Sequence, residues 1–111
     1  MAVEPRTEIA SAVLERARAG DQGAFTDLVR HYDRGLRALA VRLLGDRGLV
    51  DDALQEAYVG AYRALPAFEG RSGVGTWLYR IAYNACIDEL RRAGRRPILR
   101  KCGLSAHFLT S

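Results

Sequence analysis

Apolar side chains recur along this chain at spacings of three and four, and short polar or glycine-bearing breaks divide them into blocks. That period puts each block on one face of a helix. The first helix is predicted over residues 7–19, with Thr7 as N-cap, a stripe of Ile9, Val13, Leu14 and Ala17, and Gly20 as its stop. Asp21 is the expected N-cap of a second helix. Its stripe is Phe25, Leu28, Val29, Tyr32, Leu36, Leu39, Ala40 and Leu43, and Gly45-Asp46-Arg47-Gly48 breaks it. The third helix is expected from about Leu49 to Leu65, with Ala53, Leu54, Ala57, Tyr58, Ala61, Tyr62 and Leu65 on one side. Pro66 ends it, because the residue before a proline disfavours helical dihedrals.

The segment 67–75 holds Gly70, Gly73 and Gly75 and reads as a mobile or tightly turned loop. Thr76 is the expected N-cap of a fourth helix with Trp77, Leu78, Ile81, Ala82, Ala85 and Leu90 as its apolar positions, ending near Gly94. Trp77 is expected in the core. Tyr79 falls off the main stripe and is expected to be exposed and free to stack. Residues 98–111 have no period. The pattern predicts an all-α fold, a compact bundle of four helices in a domain over 1–97, followed by an irregular C-terminal tail over 98–111.

Charge divides the chain. Residues 1–70 carry 9 basic and 11 acidic side chains, a net of −2, whereas residues 71–111 carry 8 basic and 2 acidic, a net of +6. A basic C-terminal part suits contact with a polyanion, because neutralised phosphates release their counterions. Part of it also complements a helix dipole, since Arg91, Arg92, Arg95 and Arg96 fall at the end of the fourth helix. The start, Met1-Ala2-Val3-Glu4-Pro5, lacks the basic and apolar regions of a signal peptide. No apolar run approaches the roughly 18 residues of a membrane span. Cys86 and Cys102 form no disulfide framework, so a reducing cytoplasm is the expected setting, without membrane insertion.

Catalytic and metal chemistry find no footing. The Gly-rich stretch before Thr76 has no lysine and no leading strand, so it is not a nucleotide-phosphate loop. Cys86, Cys102, His31 and His107 lack metal-ligand spacing. No spacing suggests a Ser–His–Asp set or a carboxylate pair. The chain is expected to have no enzymatic activity, no cofactor and no metal.

Three segments, in order, resemble bacterial extracytoplasmic-function (ECF) sigma factors of the sigma-70 family. Gly20-Asp21-Gln22-Gly23-Ala24-Phe25 with Leu28 and Tyr32 is similar to the family's opening motif. Asp51-Asp52-Ala53-Leu54-Gln55-Glu56-Ala57-Tyr58 is similar to its region 2.2 signature, and Thr76-Trp77-Leu78-Tyr79-Arg80-Ile81-Ala82-Tyr83-Asn84 to region 2.3. Phe68 stands where the family has a phenylalanine before the loop.

The resemblance implies a region 2 domain that binds core RNA polymerase and recognises and melts the promoter −10 element. Asp51, Asp52, Gln55, Glu56 and Val59 would dock on the coiled coil of the beta-prime clamp. Carboxylates and an amide suit an arginine-rich partner through charge-assisted hydrogen bonds. Phe68, Arg71, Ser72, Thr76, Tyr79, Arg80, Asn84, Arg91, Arg92 and Arg95 would contact promoter DNA on the non-template −10 strand, where an unstacked base needs a pocket. Such factors continue into a helix-turn-helix domain for the −35 element, region 4, which is absent from these 111 residues. On that comparison, 98–111 is a tail or truncated linker. An anti-sigma factor is the implied regulatory partner. The competing reading is a helical module that binds protein partners only.

Overall fold

The computed structural model describes residues 11–70 and 72–94. Expectations placed on Thr7, Ile9, Arg71, Arg95, Arg96, Pro97, Cys102, His107 and the 98–111 tail lie outside the described residues. Within them the chain forms α1 (Ser11–Arg18), α2 (Gln22–Leu44), α3 (Arg47–Ala64) and α4 (Val74–Ala93), with a 3₁₀ turn over Leu65–Ala67. The all-α expectation holds, and no strand occurs among the described residues.

The boundaries follow from local chemistry. Asp21 caps α2 by accepting a hydrogen bond from the Ala24 amide at 3.0 Å, as expected. Asp46 does the same for α3 with the Leu49 amide at 3.1 Å. In both caps the second helical residue is a glycine, Gly23 or Gly48. A Cβ there would come within 3.3 Å of the capping carboxylate. Gly45 (φ 68°) ends α2 and Gly94 (φ 69°) ends α4, both in the left-handed region that glycine enters without strain.

Two predicted starts are corrected. The third helix begins at Arg47 rather than near Leu49, because Asp46 caps it. Asp51 and Asp52 therefore lie beyond its first turn and have no part in capping. The fourth helix begins at Val74, with Gly73 as its N-cap, so Thr76 is its third residue and not its cap. Burial explains the earlier start: Val74 and Gly75 pack into the interior and make a first turn of their own.

The core is one cluster shared by all four helices. Leu28 and Leu36 of α2, Leu54 of α3, Leu65, and Leu78 and Leu90 of α4 are fully buried. Ala53, Ala57 and Ala61 repeat every fourth residue of α3 and are at most 3% exposed. These small side chains let α2 and α4 pack close against α3 on either side.

Tyr79 departs from expectation. It is buried, 8% exposed, and its hydroxyl sits directly over Gly35 of α2, where an added Cβ would lie 1.8 Å away. The reason is that α4 packs on both α2 and α3, which widens its buried face beyond a single stripe. Tyr79 is therefore a core residue and leaves the DNA-contact set. Trp77 is half-buried against the core, in keeping with its predicted place.

A polar seam also joins α2 to α3. The Tyr58 hydroxyl donates to the Asp33 carboxylate. Arg37 donates to Asp51 at 3.1 Å and lies 3.5 Å from Asp33. The hydrogen bond to Asp51 foremost raises the Arg37 guanidinium pKa. Burial first, then the Asp33 carboxylate, holds the Tyr58 phenol well above its ordinary value.

Two predictions follow from this packing. In a helix interior alanine is better than glycine by about 1 kcal/mol, yet overpacking costs about 1–3 kcal/mol. Gly35→Ala should therefore lower the urea unfolding free energy, and adding Tyr79→Phe should restore most of the loss, since the ring carbon stands 3.1 Å from the new methyl rather than 1.8 Å. A neutral or stabilising Gly35→Ala would contradict the packing described. For Tyr58, the folded domain keeps its phenolic proton where the unfolded chain loses it. Its contribution is fully present below the ordinary phenol value of 10.0 and is lost as pH rises above it. Urea midpoints should fall as pH is raised from about 9 to about 11, and Tyr58→Phe should flatten that fall.

Candidate functional site

The outer side of α3 forms the first surface. Its buried stripe faces α2 and α4, which leaves Asp52, Gln55, Glu56 and Val59 exposed. Together with Gly60 and Arg63 they line an open groove of about 500 Å³. Val59 is 44% exposed and gives the groove an apolar patch between its charged residues. Glu56 accepts a hydrogen bond from Arg92 of α4 at 2.7 Å, so one lip of the groove is already tied to the neighbouring helix. Four of the five residues expected to dock on polymerase thus stand together. Asp51 does not line the groove, because its carboxylate belongs to the seam with Arg37. Tyr58 turns away from the groove, toward Asp33.

The second surface joins the loop after the 3₁₀ turn to the exposed side of α4. Phe68 is buried, 7% exposed, and its ring packs on Trp77 with centroids 4.9 Å apart at an angle of 47°. It anchors the start of the loop from beneath rather than presenting a free face. Gly70 has φ 80°, which bends the chain there without strain. Ser72 and Thr76 are half-buried at the far end of the loop. Gly73 caps α4 without a side chain, so the orphan amides of the first turn have no side-chain acceptor.

Farther along α4, Arg80 is half-buried, and its Nε is shut away from solvent without a hydrogen-bond partner. One turn on, Asn84 is exposed. Arg91 is also exposed, 3.5 Å from Asp88. Arg92 is held by two carboxylates, Glu56 and Glu89, each at 2.7 Å. These bonds, Glu89 first, raise its pKa further above the usual arginine value. A phosphate approaching Arg92 would have to compete with this pair. Arg71 and Arg95 lie outside the described residues.

Several functional neighbours were not singled out from sequence. Gly60 could have been found as a glycine inside a helix. Asp33 and Arg37 could have been found as an i,i+4 pair on α2. The cross-helix partners of Asp51, Glu56 and Tyr58 had no local signal. They stand 14, 36 and 25 positions away.

The remaining chemistry is quiet. Cys86 is buried, and burial pushes its thiol up to about 12, which leaves it protonated and inert. No group of three metal-ligating side chains occurs among the described residues. No described helix is long and apolar enough to cross a membrane.

The chain matches the family model for sigma-70 region 2 over residues 28–96. It is 46% identical over 85 residues to the ECF RNA polymerase sigma-E factor of Escherichia coli and 45% identical over 85 residues to the RNA polymerase sigma-H factor of Pseudomonas aeruginosa. Each alignment covers 77% of this chain and 44% of the relative, so the chain spans less than half the length of these curated relatives. Among solved structures it is similar to an engineered region 2 of sigmaE in complex with GTAAAA. The TM-score is 0.71 at 35% identity, covering 92% of this chain and all of that one. The three ordered motifs, the helical bundle that carries them and the match over 28–96 agree: the chain belongs to the sigma-70 region 2 family.

Proposed function

We propose that this domain holds core RNA polymerase on the α3 groove and captures the melted non-template −10 strand with the 68–73 loop and the exposed side of α4. One observation carries the DNA half of this reading. A partly exposed guanidinium that no carboxylate holds, among the described residues, is available to a phosphate oxygen. Arg80 is so placed one turn from Asn84, whose amide both donates and accepts and can read a base edge. The solved relative in complex with GTAAAA supports strand binding by a domain of this fold.

Each residue then has a physical task. Phe68 and Trp77 set the height of the loop. Gly70 and Gly73 carry no Cβ, which lets backbone amides approach an unstacked base. Ser72 and Thr76 supply hydroxyls beside it. Arg71, Arg80, Arg91 and Arg95 supply charge toward the backbone, with Arg92 a reserve held by Glu56 and Glu89.

On the other surface, Asp52 and Glu56 would meet basic residues of the beta-prime clamp coiled coil. Gln55 would fix register and Val59 give an apolar contact, while Asp51 supports the helix from behind through Arg37. An anti-sigma factor would act by covering one of these two surfaces.

The DNA half is tested by fluorescence anisotropy with single-stranded GTAAAA against a scrambled strand. Asn84→Ala should lower affinity for GTAAAA about 5- to 100-fold and erode the preference between strands. Arg80→Gln should weaken both strands alike and reduce the salt slope by about 1. Unchanged binding in both variants, or wild-type binding indifferent to sequence, would favour a module that binds protein only. The polymerase half is tested by core-enzyme pull-down and titration. Asp52→Arg with Gln55→Ala should weaken binding at least about tenfold without lowering the unfolding midpoint. Undiminished binding would mean the docking surface lies elsewhere.

A further inference from the structure

Gly35 stands in the middle of α2, where glycine weakens a helix relative to alanine because it gives up more backbone freedom on folding. Its φ is not positive, so the backbone there does not demand glycine. What demands it is Tyr79 of α4. The phenol enters the notch left by the missing Cβ. A Cβ built on Gly35 would stand 1.8 Å from the hydroxyl oxygen and 3.1 Å from the ring carbon that bears it. A core that only needed filling would be served by alanine at 35 and leucine at 79.

The notch is held on both sides. Asp33 and Arg37 flank Gly35 on α2, and they are tied to α3 through Tyr58 and Asp51. α2 is thus fastened to α3 around the point where α4 enters. Tyr79 reaches toward this junction: burial foremost raises the Tyr58 phenol pKa, and the Tyr79 phenol adds to the rise from across the α3–α4 boundary. A tyrosine ring turns about two bonds only, and this one is buried. Its tip therefore acts as a stop for α4 against α2.

We infer that Gly35 and Tyr79 are positioning residues for strand capture: the depth of the phenol in the α2 notch sets where α4 presents Arg80 and Asn84. This inference rests on the strand-capture reading above. Arg80 follows Tyr79 directly, and Asn84 comes one turn later on the same helix. A methyl group at position 35 would drive the hydroxyl outward by roughly 1.5 Å to reach ordinary contact distance. Hydrogen bonds to a base edge form over about 2.7 to 3.2 Å and fail with a shift of that size. The attraction between a guanidinium and a phosphate falls off more gently with distance. Displacing α4 thus erodes the reading of bases by Asn84 more than the holding of the strand by Arg80.

The test measures the affinity of the full 111-residue chain for single-stranded GTAAAA and for a scrambled strand, by fluorescence anisotropy well below the unfolding midpoint. Gly35→Ala should lower the ratio of the two affinities about fivefold or more, while the scrambled strand loses less than about twofold. A smaller folded fraction alone would weaken both strands equally and leave the ratio unchanged. Gly35→Ala with Tyr79→Phe should bring most of the ratio back, because removing the hydroxyl reopens the notch. Should Gly35→Ala fail to fold, Tyr79→Leu removes the stop without a clash and should lower the ratio about threefold. A wild-type ratio in folded Gly35→Ala, or in Tyr79→Leu where that variant replaces it, overturns the inference. So does a double variant that stays at the Gly35→Ala ratio. If Asn84→Ala still lowers the ratio in those cases, strand capture stands and only the role of the notch falls. If the wild-type chain shows no preference between the strands, both fall together.

Discussion

The close fit of α3 between α2 and α4 is the constraint on which the rest of this domain depends. Ala53, Ala57 and Ala61 make that fit with small side chains, and Leu54 and Leu65 fill the space around them. The tight packing commits one side of α3 wholly to the interior. Its other side, from Asp52 to Arg63, is thereby left outward as a continuous groove. The same fit fixes α4, whose Leu78, Ala82, Ala85 and Leu90 face inward and whose Asn84 and Arg91 face out. Both proposed surfaces are consequences of one packing solution.

Polar bonds then set the register of the helices. Tyr58 with Asp33, and Arg37 with Asp51, fasten α2 to α3. Arg92 with Glu56 fastens α3 to α4. The arginine pairs are largely exposed, so each contributes little to stability. Their significance is positional. Asp51 and Glu56, expected from sequence as docking carboxylates, are already engaged within the domain, whereas Asp52 lies in the groove with no ion-pair partner to displace among the described residues. A partner rich in cations must therefore share Glu56 with Arg92 and finds Asp52 an easier first contact.

Much of this was legible in the residues alone. Helix periodicity marked four helices, Asp21 declared itself as a cap, and the three ordered motifs pointed to the family. Asp46 and Val74 were misread because a cap and an early turn look alike when the residues that bury them are unknown. Tyr79 was misread for a different reason. A single apolar stripe assumes one buried face, and α4 is buried on two sides. Nothing in the local sequence links Tyr79 to Gly35, 44 positions apart by their numbering, although their fit is among the most specific in the core. Cross-helix ion pairs were invisible for the same reason: periodicity reports a helix's own face and not its neighbour.

The central claim is that strand capture and polymerase docking occupy separate faces of one small bundle. A nitrogen-15 NMR titration of the labelled chain with single-stranded GTAAAA tests it directly. Amide shifts should concentrate in the 68–73 loop and at Thr76, Arg80 and Asn84, while Asp52, Gln55, Val59, Gly60 and Arg63 stay unmoved. Shifts centred on the α3 groove, or no sequence-dependent shifts at all, would contradict the account.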